Sequence, residues 1–90
     1  MDFGDALKAL RNGKRVARAS WKVKGYWLIL VPGSKIVPQE GRPLGQAAPE
    51  LVGATLEYQA HIDKWYGHGR IGTWSPSHDA LLAQDWTVLP

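Results

Sequence analysis

The sequence predicts an α+β fold: a small antiparallel β-sheet with an N-terminal helix and a short helix before the C-terminal strand. Three observations carry this expectation. Phe3, Ala6, Leu7 and Leu10 recur at i, i+3, i+4 and i+7, the spacing of one apolar helix face. Several later stretches either alternate apolar with polar residues or run apolar over six residues between turn formers, which is the signature of strands. Ser75-Pro76 then marks a helix start just ahead of a last short apolar stretch.

Taken in order, residues 2–12 form the first helix, with Asp2 capping the first amides and Asn12-Gly13 supplying a left-handed stop. Residues 14–19 form a first strand ending at Ser20-Trp21, and Val23-Lys24-Gly25 turns the chain into a second strand, Tyr26–Val31. Tyr26, Leu28 and Leu30 point one way in that strand and Trp27, Ile29 and Val31 the other. A strand apolar on both faces must be covered on both. One helix and one sheet in so short a chain cover one face, so the second cover is expected to be another copy of the protein.

Residues 32–54 hold Pro32, Pro38, Pro43 and Pro49 with Gly33, Gly41, Gly45 and Gly53, and read as a Pro/Gly-rich surface loop within a single domain spanning 1–90. A loop longer than about 12–15 residues in a compact domain is usually functional or disordered. A short helical turn is expected at 47–52. Residues 55–63 alternate as one strand, with Leu56, Tyr58, Ala60 and Ile62 facing the core. Gly67-His68-Gly69 makes a hairpin turn into a strand at 70–74, Ser75 caps a short helix with Pro76 in its first position, and residues 85–88 close the sheet.

The 90 residues allow one domain, with a compact radius of gyration of about 12 Å. The absence of cysteine excludes a disulfide staple, a thiol nucleophile and a thiolate-ligated zinc site. The longest apolar run is far short of the ~20 residues that span a membrane, and the acidic start lacks the order of a signal peptide, so a cytoplasmic protein with no membrane contact is expected. The net charge of +3 is unevenly placed: residues 1–24 hold seven Lys or Arg against Asp2 and Asp5, and the remainder is net negative. Five tryptophans cannot all be buried in so small a core, so some face a ligand or another subunit.

Sequence motifs for catalysis are missing: no G-x-S-x-G, H-E-x-x-H, P-loop or G-x-G-x-x-G pattern occurs. His61 and Asp63 share a strand face and read as polar residues of a solvated or ligand-facing strand rather than as parts of a triad. Metal ligation by His61, Asp63, His78 and Asp79 has no fixed spacing behind it, and no cofactor is expected. Basic residues interleave with aromatics through Lys14, Arg15, Arg18, Trp21, Lys22, Lys24 and Trp27, which suits stacking on bases and neutralising phosphates. A long polyanion would be repelled by the rest of the surface, whereas a small phosphate-bearing ligand would not. Trp74-Ser75-Pro76-Ser77-His78-Asp79 sets an indole beside a helix start with hydroxyls, the parts a nucleotide needs; the plainer reading is a capping serine and a core tryptophan.

The opening residues 1–10, then Gly13-Lys14-Arg15-Val16-Ala17-Arg18 and Ser20-Trp21, resemble the start of the phage Thoeris anti-defence two family. Val31-Pro32-Gly33-Ser34, His61-Ile62-Asp63 and the stretch from Trp74 to Trp86 are similar to it as well; residues 35–54 carry no part of the resemblance. The resemblance implies a sponge, a homotetramer that binds cyclic nucleotide signals of the glycocyclic ADP-ribose type, and in some members cyclic oligonucleotides, at sites between subunits without cleaving them. It places the protein in the cytoplasm of the infected bacterial host. On this reading Trp21 and Trp74 stack on a purine from opposite sides of a subunit interface, Arg18 and Arg70 meet phosphate, and Ser77 and Asp79 meet ribose hydroxyls. Ser75, Trp27, His61 and Asp63 complete the candidate contacts. Two alternatives belong to other classes. A nucleic-acid-binding accessory protein would show affinity falling steeply with salt, and a small nucleotide-signal hydrolase would release a product.

Overall fold

Asp2 begins the fold as a helix cap: its carboxylate accepts the Asp5 amide at 2.8 Å. Helix α1 (Phe3–Arg11) follows and stops at Asn12, with Gly13 at φ +78°, a conformation that disfavours a side chain. The computed structural model describes residues 1–90. After α1 come β1 (Val16–Arg18), a 3-10 turn (Ala19–Trp21), β2 (Trp27–Val31), β3 (Ser34–Ile36), α2 (Pro43–Ala47), a second 3-10 turn (Pro49–Leu51) and β4 (Leu56–Tyr58). The chain ends with β5 (His61–Gly67), β6 (Arg70–Thr73), α3 (His78–Leu82) and β7 (Trp86–Val88). The class is α+β, with the expected N-terminal helix and the short helix before the last strand.

Five strands form one antiparallel sheet in the order β6-β5-β2-β1-β7. Its register puts Val16 opposite both Leu28 and Val88, and Leu30 opposite Ile62, so these side chains share one face. Helices α1 and α3 lie on that face and complete the core of Ala6, Leu10, Val16, Leu28, Ala80 and Trp86. Trp86 is the largest fully buried side chain and donates its indole Nε1–H to the Ala80 carbonyl at 2.9 Å. The other face carries Trp27, Ile29, Val31 and Trp65, all half-buried, with no helix on it. The two-sided apolar character of residues 26–31 is therefore real, and one of its two sides is open.

Three expectations change. The stretch 32–54 is not an irregular loop. It contains β3, α2 and a 3-10 turn, and with β4 it forms an arm whose two-stranded sheet is separate from the main one. Gly45 sits so close to the Gln39 backbone that any Cβ would collide with it. The predicted strand 55–63 is broken at Gln59-Ala60: β4 belongs to the arm, β5 to the main sheet, and of the expected core residues only Ile62 packs against the core. Tyr58 is 56% exposed. Gly33 marks the root of the arm, since a Cβ there would lie 3.1 Å from the Tyr58 carbonyl. The arm also makes the molecule elongated, 45 × 26 × 26 Å with a radius of gyration of 16.3 Å, instead of the compact value expected from length.

Leu28 is fully buried at the centre of the main sheet. Leu28→Ala should cost about 2–5 kcal/mol of stability, as for other large-to-small core changes. Urea denaturation measures it, and a loss below about 1 kcal/mol would show that this core is not the centre of the fold.

Candidate functional site

Trp21 reaches its place through the tight connection after β1. Ala19 N donates to the Asp85 carbonyl at 2.9 Å, Gly25 N donates to the Trp21 carbonyl at 2.9 Å, and Gly25 at φ +70° turns the chain into β2. The Trp21 ring therefore lies at the edge of the core face, meeting Trp86 at 5.4 Å and 81°, Trp74 at 6.4 Å and 80°, and Tyr26 at 6.4 Å and 68°. These are edge-to-face contacts, the arrangement the ring quadrupoles favour. Trp74 arrives from the other side. Its amide donates to the Ile62 carbonyl at 2.8 Å, carrying the β5–β6 ladder one residue further, and its ring packs on Phe3 and Trp86. Trp21 and Trp74 thus touch within one protomer, with no gap for a base between them. Any ring that stacks here does so on an outer face.

Tyr26 and Tyr66 continue this aromatic wall, with ring centroids 6.1 Å apart. Lys64 stands in front of it, its Nζ 4.2 Å from the Trp21 ring centroid, 4.6 Å from Tyr26 and 5.2 Å from Tyr66. Burial, then the charge of Lys24, hold the Lys64 ammonium below its ordinary pKa of 10.5. Sequence reasoning does not single out Tyr26, Lys64 and Tyr66 as site residues. Continuing the alternation of Ile62 by two and four positions puts Lys64 and Tyr66 on the core face, which is the signal that would have found them.

The other candidates are distributed unevenly. Arg18 donates Nε–H to Asp85 Oδ1 at 3.0 Å, and the Ser20 amide reaches Asp85 Oδ2 at 3.4 Å. Arg18 is thereby tethered beside the wall. Arg70 opens β6, three strand spacings or about 14 Å across the sheet from β1, and lines a groove of about 280 Å³ with Tyr66 and Ile71, so one protomer does not bring the two arginines together. Ser77, not Ser75, caps α3: its hydroxyl accepts the Ala80 amide at 3.1 Å, and Ser75 and Pro76 precede the helix. The capping position lies where a serine hydroxyl can reach the amide three residues on, and Ser77 meets that condition. With only five residues and its third amide already satisfied, α3 is not the anion-binding helix start that the sequence suggested. Ser75, Ser77 and Asp79 remain exposed beside Trp74.

Trp27, His61 and Asp63 lie on the opposite face of the sheet from Trp21 and Trp74. Trp27 stacks on Trp65 at 5.7 Å and 15°, with the Arg15 guanidinium 5.2 Å from the Trp27 centroid. His61 Nε2 contacts Asp63 Oδ1 at 3.4 Å and its Nδ1 faces the Gln59 carbonyl. A cleft of about 510 Å³ at this side is lined by Ala17, Arg18, Lys22, Tyr26, Trp27 and Leu89, among others. The sheet thus sets Trp21 and Trp74 on one face and Trp27, His61 and Asp63 on the other, and of the candidates the cleft brings Arg18 to Trp27. Neither Ser75 nor Ser77 is hydrogen-bonded to a histidine, and the wall consists of ring faces and cations. Ring faces with an ammonium against them suit a planar, anionic molecule.

Comparison with known proteins places this geometry in context. Residues 1–89 match the Thoeris anti-defense 2-like domain. The chain is also similar to the protein "Thoeris anti-defense 2" of Bacillus phage SP01, at 29% identity over 89 residues, which is 99% of this chain and 94% of the phage protein.

The Arg18–Asp85 pair yields a pH prediction. The Arg18 hydrogen bond is the main reason the Asp85 carboxyl lies below its ordinary pKa of 3.8, helped by the Ser20 amide and opposed by burial. A depressed folded-state pKa stabilises the fold above the unfolded value, and that contribution is lost as pH falls through the folded-state value. Asp85→Asn should therefore lower the urea midpoint at neutral pH, with the difference from the parent shrinking below pH 3.8. An unchanged midpoint across the range would show that the pair does not anchor this corner.

Proposed function

The chain belongs to the Thoeris anti-defense 2-like family, and on that premise we propose that it is a phage anti-defence protein that sequesters a cyclic nucleotide immune signal. The signal class is the glycocyclic ADP-ribose type, with cyclic oligonucleotides as a second class of cargo, and the ligand is held without being cleaved. The observation that carries this reading is the aromatic wall of Trp21, Trp74, Tyr26 and Tyr66 with cationic Lys64 against it. A purine offers a flat face to the indoles and a pyrophosphate offers charge to the ammonium. Blocking Thoeris immunity in the cytoplasm of an infected host requires only that free signal be kept below the level its receptor needs. Capture suffices, and no enzyme chemistry is called for.

The open face of the sheet supports a homo-oligomer, and we take the tetramer as its form. Trp27, Ile29 and Val31 of β2 with Trp65 of β5 form an apolar patch on one sheet face, bordered on β5 by Asp63 and His61. A second copy of the same face is self-complementary, as a two-fold interface requires. In an oligomer, residues that one protomer holds apart meet residues of its neighbours, which is how Arg70, Trp27, His61 and Asp63 would join a site at a subunit boundary. The net negative charge beyond residue 24 argues against nucleic acid as the partner.

Incubating the protein with a glycocyclic ADP-ribose isomer, denaturing by heat and analysing the supernatant by chromatography should return the unchanged ligand. A linearised or hydrolysed product would make the protein an enzyme. Trp74→Ala should weaken binding by about 1–3 kcal/mol, the worth of a base stacked on an aromatic ring. If this variant folds and binds like the parent, the purine sits elsewhere.

A further inference from the structure

A lysine on the core face of a central strand is out of place by hydropathy. Lys64 pairs with Leu28 on one side and Gly72 on the other, so its neighbours across the sheet are a fully buried leucine and a residue with no side chain. The room left by Gly72 lets the lysine stem lie along the sheet toward the wall. Three rings surround the ammonium at 4.2, 4.6 and 5.2 Å. Neither of the chain's two ion pairs includes it. The charge that acts on it is like-signed: Lys24, whose Nζ lies 5.8 Å from the Tyr26 centroid. The ammonium is thus partly desolvated, has no anion, and covers the aromatic surface on which a purine would stack.

These facts set up an exchange. A ligand that stacks on Trp21 must first move the ammonium off the rings, against its cation–π attraction to them. An unphosphorylated nucleoside has nothing to give in return, and leaves a half-buried cation without a partner. A phosphorylated ligand accepts the displaced ammonium in a charge-assisted hydrogen bond to its phosphate oxygens, which is stronger than the cation–π attraction it replaces. The four-carbon stem is long enough to swing between the rings and a phosphate beside them. We propose that Lys64 is the specificity-determining residue of this site, admitting phosphorylated purine ligands and rejecting unphosphorylated ones by occupying the Trp21–Tyr26–Tyr66 wall until a phosphate takes its ammonium. This rests on the reading that the wall is the ligand site, and deepens it.

The test measures dissociation constants of a glycocyclic ADP-ribose isomer and of adenosine for the parent, Lys64→Met and Lys64→Arg by calorimetry. Lys64→Met keeps the stem and removes the charge. It should weaken the phosphorylated ligand about tenfold, the size of one charge-assisted hydrogen bond, and tighten adenosine, so the ratio of the two constants falls by more than tenfold. Lys64→Arg, which keeps the charge, should preserve most of the ratio. An unchanged ratio in Lys64→Met, with both affinities altered together or neither altered, would reduce Lys64 to a packing role and overturn the proposal while leaving the sponge reading intact. A parent protein that binds neither ligand would overturn the proposal together with the glycocyclic ADP-ribose reading it rests on. A second measurement needs no variant. The Lys64 ε-methylene protons should resonate upfield in the free protein through the ring currents, and move downfield on saturation with the phosphorylated ligand. Resonances that stay upfield in the saturated complex would contradict the exchange.

Discussion

The buried indole of Trp86 is the side chain on which the rest of the molecule depends. Its ring meets Phe3 at 5.3 Å, Trp21 at 5.4 Å and Trp74 at 6.0 Å, and its Nε1–H is held by the Ala80 carbonyl. One side chain therefore ties α1, α3, the turn after β1 and the end of β6 to a single point. The neighbouring Asp85 extends this by holding Arg18 and the Ala19 and Ser20 amides. In so small a core a large aromatic with one satisfied polar atom supplies both burial and orientation. Trp21 and Trp74 are consequently positioned by the core itself, so the surface that carries the proposed function is rigid without a dedicated scaffold. Preorganisation of that kind lowers the ordering cost for any ligand that stacks on these rings.

The same sheet that positions the wall also limits it. Two aromatic groups lie on opposite faces of a single copy, Trp21 and Trp74 on one and Trp27 and Trp65 on the other. A small domain cannot cover both faces of a five-stranded sheet with two short helices. The incompleteness of the protomer and its proposed assembly follow from this one geometric shortage. The arm of β3, α2 and β4 adds length but no cover: it projects from the strand ends and is built on its own close contacts, including the Gly45–Gln39 approach.

Much of this is legible in the residues. The Asp2 cap, the Asn12-Gly13 stop, the Gly25 turn and the two-faced run 26–31 are local signals, and local chemistry decides them. Of the arm only the helical turn expected at 47–52 is legible, realised at Pro49–Leu51; its other elements are too short to show a period and its burial is internal, confined to Pro38 and Gly45. The break at Gln59-Ala60 is hidden for a different reason: alternation continues through it, and a period of two does not record which sheet each half joins. Ser77 takes the cap from Ser75 because helix geometry, not the neighbouring proline, selects the residue whose hydroxyl meets a free amide. Lys64 stays hidden since a charged residue beside alternating positions reads as solvated, and only the third dimension brings Trp21, Tyr26 and Tyr66 around it.

The central claim is that an oligomer of this chain captures an intact signal on the aromatic wall. Native mass spectrometry of the protein incubated with a glycocyclic ADP-ribose isomer tests it most directly, since assembly, stoichiometry and ligand mass are read in one spectrum. The expected spectrum is that of a homo-oligomer, a tetramer, whose added mass is that of the unmodified ligand in whole-number amounts. A folded monomer with no added mass, or an oligomer carrying only a hydrolysed product, would contradict it.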